Sequence, residues 1–71
     1  RGQKWDLATQ SFKRAAELDP KHAEAARFTA ICLDVMGYAR EAARWYEEVL
    51  RRNPAHEARD GILVRIRSLE R

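Results

Sequence analysis

A chain of 71 residues makes at most one small domain, and a domain of this size buries only about 60% of the surface its unfolded form exposes, which leaves its stability marginal. Its one cysteine, Cys32, excludes an intrachain disulfide and any cluster of thiolate ligands, and no apolar run approaches the roughly 20 residues needed to cross a bilayer. The net charge of +3 is local, because residues 1–50 balance eight basic against eight acidic side chains while six arginines face three acids in residues 51–71.

Twelve alanines, abundant Arg, Glu and Leu, three glycines and two prolines favour helices over strands throughout, so the composition predicts an all-α fold. The chain opens at Arg1 with no initiator methionine and no charged-then-apolar leader, which reads as a soluble fragment of something longer. Two dipeptides, Asp19-Pro20 and Asn53-Pro54, each pair a good N-cap residue with a proline suited to the first helical turn. Gly37 follows an apolar stretch closely enough to be the left-handed residue that closes a helix. Four helices are predicted, over 4–18, 21–36, 38–52 and 55–70.

The first helix places Leu7, Ala8, Phe12, Ala15 and Ala16, with Trp5 beside them, at the three- and four-residue spacing of an amphipathic face. In the second, Cys32 lies mid-helix between Ile31 and Leu33; a free cysteine in such a run is core filler. In the third, Ala42, Tyr46, Val49 and Leu50 form the apolar stripe, and Arg44, Glu47, Glu48, Arg51 and Arg52 form i,i+4 pairs on the face read as solvated. The fourth carries Ile62, Leu63, Ile66 and Leu69 as its stripe, interrupted by Asp60 and Arg67. Trp5 and Trp45 each lie beside their stripe, which predicts that at least one is partly exposed.

Shifting the chain against itself by 34 residues aligns Ala8 with Ala42, Phe12 with Tyr46, Ala15 with Val49, Asp19 with Asn53, Pro20 with Pro54 and His22 with His56. A helix-pair period of this length marks a repeat architecture. With Gly37-Tyr38-Ala39-Arg40-Glu41-Ala42 at the turn and Ala15-Ala16-Glu17-Leu18-Asp19-Pro20 at the repeat end, the chain resembles the tetratricopeptide repeat over residues 3–56. The resemblance implies antiparallel helix pairs in a right-handed superhelical solenoid. It divides the chain into the second helix of one repeat (3–20), one complete repeat (21–56) and the first helix of a further repeat or a cap (57–71). Ala26 and Thr29 stand where the family commonly has a large aromatic and a leucine.

That resemblance also implies a function. In such arrays the first helices of successive repeats line a concave groove, and the groove residues here are Glu24, Arg27, Phe28, Ile31, Asp34 and Val35, a cluster that helical spacing alone also allows. An apolar floor with charges of both signs suits an amphipathic or extended partner segment. The clamp with which one subclass grips chaperone tails is missing, since only Arg27 is basic where Phe28, Ile31, Ala58 and Ile62 fill other clamp positions. A protein-interaction scaffold is therefore the expectation, with self-association through the terminal helices as a further mode.

Arg59, Arg65 and Arg67 present forks that suit phosphate or an acidic protein. Without interleaved aromatics they argue more for a solvated helix face than for nucleic acid. His22 and His56 are 34 residues apart with no further ligand at suitable spacing, so no metal is expected. No Gly-rich phosphate loop, carboxylate pair or triad pattern appears, and neither a cofactor nor catalysis is expected. Arginine and alanine richness matches a bacterial composition, and both cytoplasm and periplasm suit the chain.

Overall fold

A computed structural model describes residues 2–70, whose regular structure is four α-helices: α1 (Gly2–Leu18), α2 (Ala23–Val35), α3 (Ala39–Arg52) and α4 (Arg59–Leu69). Each helix packs on its neighbour in the chain, α1 on α2, α2 on α3 and α3 on α4, in a flattened body of 32 × 30 × 16 Å. No helix among the described residues is long and apolar enough to cross a membrane.

The α2–α3 contact is the centre of the fold, and small side chains line it. Ala26, Thr29 and Ala30 from α2 and Ala42 and Val49 from α3 are fully buried, and Ala43 and Tyr46 nearly so. The Thr29 hydroxyl, which would otherwise be an unpaired buried donor, gives its proton to the Ala25 carbonyl at 2.9 Å. Ile62 and Ile66 of α4 complete the same core, with Leu69 half-buried beside it. Leu63, expected on that stripe, is instead 40% exposed, because the buried positions of α4 are four apart and Leu63 falls a turn-fraction away from both. Cys32 is buried, as expected.

The turns differ from the expected ones in an instructive way. Gly37 has φ +87°, and around it Tyr38 N–H donates to the Leu33 carbonyl at 2.9 Å and Gly37 N–H to that of Asp34 at 3.0 Å, which is the Schellman closure. The two prolines, however, sit in turns rather than in first helical turns. The cap of α2 is His22, whose Nδ1 accepts the Ala25 N–H at 3.0 Å, so the helix starts two residues later than predicted. After Asn53, residues 54–58 form a turn, and α4 begins at Arg59 rather than at 55. His56 is the reason: it takes the Ala58 N–H on Nδ1 at 3.0 Å and gives its own N–H to the Asn53 carbonyl at 3.0 Å, satisfying backbone groups that a longer helix would have paired internally.

Candidate functional site

The outward face of α2 is the part of the surface where the groove residues lie, and its structure separates them into two kinds. Phe28 and Val35 are exposed, at 41% and 56%, and Ile31 is half-buried between them with its inner side on the core. At i, i+3 and i+7 these three form one strip roughly 10 Å long at 1.5 Å per residue. Phe12 of α1 flanks the strip, its ring 5.1 Å from that of Phe28 and tilted by 31°, and the Arg27 guanidinium lies 5.8 Å from the Phe28 ring centre.

Glu24 and Asp34, by contrast, are already engaged within the chain. Glu24 accepts the His56 Nε2–H at 3.0 Å and pairs with Arg27 at 3.4 Å. Because Nδ1 of His56 already accepts a backbone N–H, Nε2 must carry the proton toward Glu24; this tautomer is assigned from the two hydrogen bonds together. The His56 N–H, with Arg27 adding to it, holds the Glu24 carboxyl below its ordinary range. Asp34 accepts a fork from Arg65, Nε at 2.7 Å and Nη2 at 2.5 Å, and the Tyr46 hydroxyl at 3.2 Å. The Arg65 fork, supported by the Tyr46 hydroxyl, holds the Asp34 carboxyl below its ordinary range. Burial first, and the Asp34 charge second, push the Tyr46 phenol up to about 12.

These pairs tie α4 and the turn before it to α2 across a gap that the helices' backbones do not close. They also decide the character of the strip. Its two acids are paired within the chain, Glu24 with His56 and Arg27 and Asp34 with Arg65, so the exposed apolar groups of the strip are bordered by polar groups that already have partners.

The three C-terminal arginines do not form one patch. At 3.6 residues per turn, Arg65 points away from Arg59 and Arg67, and these two, about 80° apart around α4, are separated by roughly 12 Å along its axis. Arg65 is committed to Asp34, Arg59 lies 3.8 Å from Asp60, and Arg67 has no ion-pair partner among the described residues. His22 and His56 both act as backbone caps through Nδ1, and no group of three or more metal-ligating side chains occurs among the described residues. Trp5 is 38% exposed and Trp45 half-buried, in line with the expectation for the two tryptophans.

One residue that sequence reasoning put on the solvated face is structural. Arg52 has a side chain only 8% exposed; its Nε donates to Glu48 at 2.7 Å, and its Nη1 reaches back to the carbonyls of Asp19 at 3.3 Å and His22 at 3.2 Å. Its guanidinium also stands 6.0 Å from the Trp45 ring centre. The i,i+4 spacing found the Glu48 partner, but nothing in a local period signals a bond across 30 residues. A hollow beside it, lined by Arg44, Trp45, Glu47, Glu48, Arg51 and Arg52, is an open surface whose Glu48 is already paired with Arg51 and Arg52.

No family model matches the chain, and no match appears among the curated proteins or the solved structures.

Proposed function

We propose that the chain is a protein-interaction module of the tetratricopeptide type, which holds a segment of a partner protein along the outward face of α2 and catalyses no reaction. The observation that carries this reading is the strip of Phe28, Ile31 and Val35, with Phe28 and Val35 exposed, while Glu24 and Asp34 beside it are already paired within the chain. An apolar strip at i, i+3, i+7 spacing fits an amphipathic helix or an extended segment that offers two or three apolar anchors. The 34-residue offset and the sequential packing of the four helices support the repeat assignment. Arg59 and Arg67, both exposed and about two turns apart along α4, enter this reading as solvated groups, and Arg65 as the tie that holds α4 in place.

Phe28→Glu tests the proposal better than a change at Ile31, whose inner side packs on the core. Selection of a displayed random-peptide library on the 71-residue chain is expected to enrich sequences with spaced apolar anchors, and Phe28→Glu is expected to lose them while keeping its helical circular dichroism. Equal enrichment by the variant, or retention of the peptides only at low salt, would move the binding surface off α2.

A further inference from the structure

His56 lies in the turn between α3 and α4, only 7% exposed, and each of its ring nitrogens holds a different element. Nδ1 accepts the Ala58 N–H at the start of α4, and the Nε2–H reaches Glu24 on α2, both at 3.0 Å. Ala58, the N-cap residue of α4, makes no side-chain cap bond, so the ring supplies the acceptor that the cap residue lacks. His22, 34 residues earlier, caps α2 through Nδ1 in the same way, but it is exposed and its ring makes no bond to another helix among the described residues.

A neutral imidazole has one donor and one acceptor. In His56 both are in use, so a second proton has only Nδ1 to go to. Imidazoles take up that proton between about pH 8 and pH 5. Nδ1 then becomes a donor facing the Ala58 N–H, and the bond between them is lost. The Nε2–H, by contrast, becomes part of a cation facing a carboxylate, and a charge-assisted bond is the stronger kind. Glu24 is ionised over this range, its carboxyl held below the ordinary value by the His56 N–H and by Arg27. The other charged groups near the ring are engaged elsewhere or exposed: Arg52 pairs with Glu48 at the end of α3, Arg59 with Asp60 at the start of α4, and Glu57 in the turn is exposed.

The far half of α4 has a tie that does not respond over the same range. The Arg65 fork on Asp34 holds that carboxyl below its ordinary value, and Ile66 beside it is buried. We propose that His56 is a pH-sensitive latch: on taking up a second proton it keeps its hold on α2 but releases the start of α4, which opens about its Arg65–Ile66 end. The start of α4 is then held by the Arg59 N–H bond to the His56 carbonyl, at 3.0 Å, and by Ile62. The latch uses neither Phe28 nor Val35, so it holds or fails independently of binding along α2.

Amide exchange followed by NMR from pH 8 to pH 5 tests the latch, with each rate expressed as protection relative to an unstructured chain at the same pH. The Ala58 amide, and the Ile62 amide that bonds to the Ala58 carbonyl, are expected to lose protection roughly fivefold to tenfold on acidification, the loss of one hydrogen bond of ordinary strength. The midpoint is expected to coincide with the titration of the His56 ring protons, while the amides of Ala30 and Tyr46 stay unchanged. His56→Asn offers an acceptor two residues before Ala58 that takes up no proton in this range, and it is expected to hold the Ala58 amide equally at both ends. Glu24→Gln keeps the acceptor for Nε2–H but removes the charge that favours the imidazolium, so the midpoint is expected to move to lower pH with the fall retained. Constant Ala58 protection in the parent chain overturns the proposal, as does a fall that His56→Asn shares or a midpoint that Glu24→Gln leaves in place. A parallel loss at Ala30 and Tyr46 overturns it too, since the whole molecule would then be opening rather than one end of α4.

Discussion

Replacing Arg52 by methionine removes the guanidinium while keeping an unbranched apolar stem, and its effect can be worked from the contacts. Two bonds to the carbonyls of Asp19 and His22, at 3.3 and 3.2 Å, are long and their acceptors lie at an exposed turn, so each contributes at the low end, about 0.5 kcal/mol. The Glu48 pair on the helix surface adds about 0.5 kcal/mol, and the guanidinium beside Trp45 adds about 0.5 kcal/mol more. The expected loss is about 2 kcal/mol, a substantial part of the roughly 4 to 11 kcal/mol that a chain of this length has in total. That loss corresponds to a fall in midpoint temperature of about 8 to 16 °C. Urea unfolding followed by circular dichroism should show a lower midpoint with an unchanged slope, since the surface exposed on unfolding is nearly the same. Combining Arg52→Met with Glu48→Gln isolates the ion pair, and the cycle should assign to it about a quarter of the total. A variant within a few tenths of a kcal/mol of the parent would refute the idea that the turn between α1 and α2 is held from α3.

Three other perturbations follow from the same structure. His56→Ala removes both the cap on Ala58 and the proton given to Glu24 and is expected to cost about 2 kcal/mol in urea unfolding, whereas His22→Ala, which removes only a cap, is expected to cost about 1 kcal/mol. Glu24 and Asp34 have folded-state values below their ordinary ones, so their contribution is present above the unfolded carboxyl range and is lost as pH falls through the folded values. Thermal scans should therefore show stability declining below the ordinary carboxylate range, and Asp34→Asn should flatten that decline. Gly37→Ala places a Cβ in open space but forces it to a φ of +87°, so a loss of about 1 kcal/mol should appear from backbone strain alone, with Gly37→Asn losing less.

Much of the fold is written in local pattern, and the parts that are not share a physical cause. Gly37 announces the α2–α3 turn because only a residue without a Cβ sits easily at its dihedrals, and the 3.6-residue spacing of Ala42, Tyr46 and Val49 gives the buried side of α3 directly. The starts of α2 and α4 were harder to read. Asp19-Pro20 and Asn53-Pro54 look like caps followed by first-turn prolines, yet in each case a histidine two residues after the proline takes up backbone N–H groups and moves the start onward. On α4, Leu63 completes an apolar stripe in the sequence but faces away from the core in the structure. Helical spacing puts Glu24, Arg27, Phe28, Ile31, Asp34 and Val35 together on α2, but their division into an apolar strip and two engaged acids depends on His56 and Arg65, which lie about thirty residues from their partners. A periodic pattern carries no record of such pairs.

The sequential packing of the helices also bears on how the chain acquires and loses its structure. Each helix buries itself on its chain neighbour, and among the described residues, apart from the turn ties, the side-chain bond between helices that skips a neighbour is Arg65 to Asp34. Little loop entropy opposes such contacts, so the chain belongs among fast folders, in which closing one helical hairpin prepares the surface for the next. Opening is graded for the same reason. The outer helices have one neighbour each and separate first, and the amides of α2 and α3 exchange with solvent last, on the timescale of global unfolding.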